Sequence, residues 1–357
     1  MIIAEVCNYA PDYGGNFIAS LKSMERFAKK ESNNNEVIYV FPRSAKDKEW
    51  VTKLQIDHKV FFIPNGKVKG SLFLLRLCYN EKISILHLHF YGLSTGLLAG
   101  CFSKASVVHH FHNTWDEKNR FKALLLRCFS LPTKKLVGCS KAVYDTLIEA
   151  GFSKSKTTYI TNCIDFSRLD SIKVQTPYHN NKNNILILGS DFYRKGVDNA
   201  LKALEDIQDK YQIQLNIISH HVDDTKGLVK KVLGADIMPE WVSVLEPVEN
   251  IGDLYRASTI FLSPSLAEGL CYAVPEALYC GCMVLKNDIP SLTYDLEGES
   301  MITLDNLNEL RSRIVVLFEY KTKYIDILDS LKVQVKEKYD IDKWGKAVFS
   351  LYKDILD

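Results

Sequence analysis

Two glutamates, Glu268 and Glu276, bracket the stretch of the chain best suited to chemistry. Between them run Gly269, Leu270, Cys271 and Tyr272, and Pro275 stands where the first turn of a helix tolerates a missing N–H. Amides converging at such a helix start attract a diphosphate, and a carboxylate on either side suits the hydroxyls of a sugar and of a ribose. Taken alone, a glutamate pair at a helix start is also an ordinary structural feature. A second candidate is Asp12-Tyr13-Gly14-Gly15-Asn16, ahead of a helical pattern with Phe17, Leu21, Met24 and Ala28 on one face. A glycine pair there lets backbone approach an anion or simply turns the chain, and it does not complete the G-x-G-x-x-G of a dinucleotide site. Histidines form a third group: His87 and His89 alternate in one apolar run, and His109, His110 and His112 cluster in another. A metal there would need a matching carboxylate and outer hydrogen-bond support. Asp223-Asp224 reads as a solvated loop pair, and Tyr91, Trp115 and Tyr272 lie near these loops, where aromatic rings stack on sugars or merely pack.

The elements that must hold these residues alternate between short β-branched runs and helical patterns, the signature of parallel sheets covered by helices. Strands are expected at residues 2–7, 36–41, 59–63, 85–89, 106–112 and 135–139, then at 185–189, 214–219, 242–245, 259–262 and 283–285. Between the two sets, residues 171–184 contain Pro177 and four asparagines and form the expected linker. Ile341, Trp344, Val348, Leu351 and Ile355 recur at helical spacing behind Asp340 and Asp342, so the chain ends in an amphipathic helix that covers its own domain or crosses back to the first.

The 357 residues are 46% hydrophobic and 25% charged, which excludes a disordered chain and suits about two domains. No stretch reaches the roughly 18–20 apolar residues of a membrane span, and the run Ile2, Ile3, Val6 lacks a basic leader, so a cytoplasmic protein is expected. Nine cysteines without a C-x-x-C pair are expected to be reduced. The net charge of +2 conceals an asymmetry: residues 1–175 carry 25 Lys and Arg against 15 Asp and Glu, and residues 176–357 carry 20 against 28. Without interleaved basic and aromatic residues, the basic half suits an anionic lipid surface or phosphorylated acceptor better than nucleic acid. Lys118, Arg120, Lys122 and Arg127, among Phe121, Leu124, Leu125 and Leu126, are the candidate lipid contacts, unless those leucines cover the sheet.

The E-x7-E array within F-L-S-P-S-L-A-E-G, followed by E-A-L-Y-C-G, resembles the donor-binding element of the retaining glycosyltransferases of family 4, which have the GT-B fold. The resemblance runs nearly the length of the chain. Gly14-Gly15 is similar to that family's glycine loop, and Val108-His109-His110-Phe111-His112-Asn113 to its strand ending in an active-site histidine. L-V-G-C-S-K-A-V and Ile160-Thr161-Asn162-Cys163-Ile164-Asp165 resemble its S-x-x-V and N-G-V-D elements, with Cys163 in place of the usual Gly. Gly189-Ser190-Asp191-Phe192-Tyr193-Arg194-Lys195-Gly196 is similar to the phosphate loop G-R-x-x-x-x-K-G. Ser190 replaces the usual arginine, a form nearest to the branch that adds glucose to the lipopolysaccharide core, and Arg194 is placed to supply part of the missing charge.

The resemblance implies an α/β protein of the GT-B class, two facing Rossmann-like domains with parallel sheets. Residues 1–172 would take the acceptor and 173–357, ending in the helix at about 341–357, the donor. It implies a retaining, metal-independent transfer of a hexose of glucose, N-acetylglucosamine or galactose type from a UDP-sugar to a hydroxyl of a cell-surface glycan or glycolipid. Such an enzyme builds envelope polysaccharide, without a cofactor, and is peripheral at the inner face of the membrane where the acceptor is lipid-borne. Glu268, Lys195 and His112 would be catalytic, His112 by orienting the donor sugar near C6 or the acceptor, and Gly14, Gly15, Ser190, Arg194, Gly269, Leu270, Cys271, Tyr272 and Glu276 would bind the donor. Asn16, Tyr91 and Asn113 would face the acceptor, and of the histidines only His112 would belong to the site. A non-catalytic partner subunit of a two-component glycosyltransferase and a nucleotide-sugar epimerase of the same fold remain as alternatives.

Overall fold

The structure, a computed structural model, describes residues 1–115, 117, 119–170, 183–248, 250–268, 270–294, 296–304 and 306–357. Contacts divide the chain into two units, Met1–Ile164 with Tyr339–Asp357, and Asp165–Lys338. The boundary after Ile164 precedes the expected one at 172, and most of the expected linker, residues 171–182, falls outside the described residues.

Among the described residues the first unit holds seven parallel strands, β1 (Ile2–Cys7), β2 (Glu36–Pro42), β3 (Val60–Ile63), β4 (Ile85–His89), β5 (Ser106–Phe111), β6 (Lys135–Gly138) and β7 (Thr157–Tyr159), in the order β3-β2-β1-β4-β5-β6-β7. The second holds six, β8 (Asn183–Leu188), β9 (Ile213–Ile218), β10 (Val242–Leu245), β11 (Ile260–Ser263), β12 (Met283–Asn287) and β13 (Thr303–Leu304), in the order β10-β9-β8-β11-β12-β13. Helices cover each sheet, so strands such as Ile-Leu-His-Leu-His and Ile-Phe-Leu-Ser are buried throughout and read as continuous runs rather than alternations. In both sheets the strand order reverses once, between β1 and β4 and between β8 and β11. Loops leaving the carboxyl ends of strands diverge at such a reversal and open a crevice there. The loops concerned are those carrying Gly14-Gly15, Phe90-Tyr91, residues 189–196 and residues 264–268, while His112 and Asn113 follow the next strand along, β5.

The C-terminal helix, Ile341–Leu356, belongs to the first unit. Asp340 caps it by accepting the Lys343 N–H at 2.7 Å, and Trp344, Val348, Phe349 and Tyr352 face inward, against the Gly15–Glu31 helix and the sheet. Gly345 sits where the two helices cross: a Cβ there would stand 2.5 Å from Ser23 Oγ and 2.8 Å from Met24 N. Backbone on one side cannot retreat as a flexible side chain would. Gly345→Ala is therefore expected to cost about 1–3 kcal/mol, read as a lower urea midpoint at unchanged slope.

Candidate active site

On the second unit, the loop after β8 and the loop after β11 are joined residue by residue. Gly196 has φ +69°, and a Cβ there would lie 2.3 Å from the Pro264 carbonyl oxygen, so only glycine permits the approach. From this contact the loops run together. The Leu266 N–H donates to the Arg194 carbonyl at 2.9 Å, and Arg194 Nη1 donates to the Ala267 carbonyl at 2.8 Å. Lys195 Nζ reaches Glu268 Oε1 at 2.5 Å, while Arg194 Nη1 stands 3.5 Å from Glu268 Oε2 and its Nε binds Asp191 at 2.6 Å. Two cations thus flank one largely enclosed carboxylate. Ser190 is turned to the next loop, its hydroxyl accepting the His220 N–H at 3.2 Å.

Gly269 lies outside the described residues; Leu270, Cys271 and Tyr272 lead into the seven-residue helix Ala273–Tyr279. A buried chain pins this lead-in. Tyr294 Oη donates to the Cys271 carbonyl at 2.6 Å, and the Tyr294 and Leu296 N–H groups donate to Glu299 at 2.9 and 3.3 Å. Lys286, 1% exposed, closes the chain with an ion pair to Glu299 at 2.7 Å. Burial pushes the Cys271 thiol up, which leaves it a packing group rather than a nucleophile. Glu276 faces the Arg168 guanidinium and the Tyr255 hydroxyl, the latter at 3.4 Å. Burial raises its carboxyl above the ordinary range, with Arg168 pulling in the opposite direction.

On the first unit, a cavity of about 360 Å³ opens beside His112 and is lined by Phe90, Tyr91, Asn113, Trp115 and Glu117 among others. His112 follows β5 by one residue, its ring stacked under Phe90 at 4.0 Å, and Phe90 holds a strained φ of +60° to do so. Burial and the neighbouring His89 and His87 keep His112 well below the ordinary histidine range, so it is neutral at pH 7. Gly15 has φ +52° at the start of its helix, and the Gly14 carbonyl accepts the Tyr9 hydroxyl at 3.1 Å. Asn16 holds the Cys163 carbonyl at 2.6 Å, an internal tie across the unit. Trp115 packs edge-on to Phe152 while lining the cavity.

Glu5, Tyr352, Arg168, Tyr294 and Lys286 lie outside every motif in the sequence, and His89 is not a site residue by resemblance. Glu5 binds His89 at 2.9 Å, and His89 in turn meets His112 at 3.1 Å. The available signal was a lone glutamate inside the apolar run Ile-Ile-Ala-Glu-Val-Cys, since a charge in a central parallel strand needs a partner. His87, His89 and His110 also bring one ring nitrogen each within 4.8 Å of one another, with both nitrogens of His89 already engaged.

Comparison with known proteins adds three findings. Residues 182–319 match the family described as glycosyl transferases group 1, and residues 36–168 match glycosyltransferase family 4. The chain is 20% identical over 284 residues to the capsular polysaccharide biosynthesis glycosyltransferase CapH of Staphylococcus aureus, covering 76% of this chain and 78% of that protein. Among solved structures, it is similar to a glycosyltransferase from Rickettsia africae (TM-score 0.81, 15% identity, 99% of each chain). It is also similar to Anabaena HepE in complex with UDP-glucose (TM-score 0.76, 15% identity, 99% of this chain and 100% of that one).

The Tyr294 link makes one structural expectation. Tyr294→Phe leaves the buried Cys271 carbonyl without this donor, at a cost of about 1–3 kcal/mol. Urea denaturation should show that loss, and amide exchange at 270–273 should quicken.

Proposed function

We propose that this glycosyltransferase of the GT-B type moves a hexose from a UDP-sugar to a hydroxyl of a surface glycan or glycolipid, with retention at the anomeric carbon and without a metal. The donor belongs to the second unit, and the observation that carries this is Glu268 set between Lys195 and Arg194 on the zipped loops. A diphosphate arriving here replaces the negative charge that Glu268 gives Lys195, so the lysine is not left unpaired when it exchanges one for the other. Lys195 and Arg194 then meet the negative charge that grows on the leaving phosphate, and Glu268 is released to the sugar hydroxyls. Glu276, sharing its carboxylate with Arg168, binds the ribose. The C1–O bond to phosphate breaks, the acceptor oxygen bonds to C1 on the same face, and its proton passes to the departing phosphate oxygen. The uridine preference and the polysaccharide acceptor are supported by the similarity to HepE and to CapH. On the first unit, the cavity beside His112, with Tyr91 and Asn113 in its wall, takes the acceptor.

Calorimetry with UDP-glucose, UDP-galactose and UDP-N-acetylglucosamine tests the donor, and no binding by folded protein rejects it. Lys195→Ala should lower turnover about 100-fold or more, because its contact strengthens as the phosphate leaves. Glu268→Gln should act on turnover, and Glu276→Gln on donor affinity, by roughly 1–3 kcal/mol. Chelator should alter neither value. Donor binding without transfer to any acceptor would favour the partner-subunit reading, with Ser190 as its cause, and sugar isomerised without an acceptor would favour the epimerase.

A lipid-borne acceptor would bring the first unit to an anionic bilayer, and the Arg120–Phe129 helix is suited to it. Phe121, Leu124 and Leu125 are 76, 51 and 43% exposed, so these leucines do not cover the sheet. Lys122 pairs with Glu117; Lys118 and the Arg120 side chain lie outside the described residues. Co-sedimentation with phosphatidylglycerol vesicles at low salt is expected, weakened by salt and by Phe121→Ser with Leu124→Ser. Binding that survives both changes excludes this helix.

A further inference from the structure

We infer that Glu5 and His89 act as positioning residues that fix which ring nitrogen of His112 carries its proton, making His112 a hydrogen-bond acceptor toward the cavity. The role in transfer rests on the function proposed above; the proton placement does not.

The strand register sets up the chain of contacts. Glu5 on β1 lies level with His87 on β4, and His89 on β4 lies level with His110 on β5, so Glu5, His87, His89 and His110 are buried neighbours just below His112. Tyr352 of the C-terminal helix donates to Glu5 Oε1 at 2.6 Å and also touches His87. Glu5 Oε2 meets His89 Nε2 at 2.9 Å, His89 Nδ1 meets His112 Nε2 at 3.1 Å, and Asn162 Nδ2 donates to His112 Nδ1 at 3.4 Å.

The protons in this line follow from its first member. Burial alone would raise the Glu5 carboxyl, but His87 and His89 more than offset it and hold it well below the usual carboxylate range. An ionised carboxylate only accepts, so the proton between Glu5 and His89 sits on His89 Nε2. Burial holds His89 down to about 4, so it is neutral and its Nδ1 is bare. His112 must then donate from Nε2, and, being neutral itself, it presents a bare Nδ1. That nitrogen receives the Asn162 amide in a long contact, the one a substrate hydroxyl can replace from the cavity. Phe90 on the ring face and Phe17 edge-on at 5.9 Å hold the imidazole plane. His112 therefore orients a hydroxyl by accepting its hydrogen bond, while the proton transferred in the reaction still goes to the leaving phosphate.

The test is nitrogen NMR on the full chain labelled in histidine. Wild-type His112 should show the Nε2–H tautomer. Glu5→Gln keeps the side chain's shape but can donate its amide to His89 Nε2, which moves the His89 proton to Nδ1 and the His112 proton to Nδ1. Alongside this shift, kcat/KM for the acceptor should fall about tenfold or more while the donor KM holds. An Nδ1–H tautomer in the wild type overturns the inference, even if the variant fails to fold. So does a variant that leaves the tautomer unchanged, or one that shifts it with no effect on acceptor kinetics in an active enzyme. Stoichiometric zinc bound at His87, His89 and His110 would also overturn it, because His89 would surrender a nitrogen to the metal. Tautomers as expected in a protein without transferase activity would uphold the proton placement and reject the transfer reading.

Discussion

The approach of Gly196 to the Pro264 carbonyl is the constraint on which the paired loops of the second unit depend. At 2.3 Å from that oxygen, any Cβ would drive the loop after β8 from the loop after β11. With it would go the Leu266–Arg194 backbone bond, the hold of Arg194 on Ala267 and the Lys195–Glu268 pair, which follow in consecutive register. The strand-order reversal between β8 and β11 brings these loops to the same crevice, and the glycine lets them touch. The buried Lys286–Glu299–Tyr294 chain then holds the far side of the β11 loop, so the segment around Glu268 is fastened at both ends.

The two units use opposite electrostatics. The second keeps formal charges on its loops, with Arg194 and Lys195 paired to Glu268 and Arg168 paired to Glu276. The Arg194–Asp191 pair, exposed on both sides, is weak and can be traded for a charged ligand. The first unit keeps its crevice histidine neutral and places its charge beneath, on Glu5 at the centre of the sheet. A ligand bearing a diphosphate suits the former surface, and one that offers hydroxyls suits the latter.

Much of this was legible in the sequence because the informative residues are local. Gly14-Gly15, residues 189–196, Glu268 with Glu276, and His112 each lie within a short motif beside a strand end, and the strand runs themselves were plain. Two strands escaped, β7 and β13, of three and two residues, too short to show a pattern. The contacts that orient the site were not legible for a different reason. Glu5 and Tyr352 are 347 residues apart, Arg168 and Glu276 are 108 apart, and no spacing rule joins such pairs. Periodicity identified the C-terminal helix, but Asp340, Trp344 and Val348 describe only its cap and its apolar face. What it covers depended on Gly345 fitting against Ser23.

That helix also answers a problem set by β1. A carboxylate at the centre of a sheet, fully out of water, is tolerated only with several hydrogen bonds to its charged form. His89 supplies one from within the sheet, while Tyr39, level with Glu5 on β2, gives its hydroxyl to Glu25 instead. Tyr352 supplies another, and its own burial beside Glu5 pushes the phenol up, so it stays protonated and donating at neutral pH. The last sixteen helical residues are therefore part of the polar interior of the first unit as well as its cover. The segment that closes the chain holds the charge on which the proton order of His89 and His112 rests.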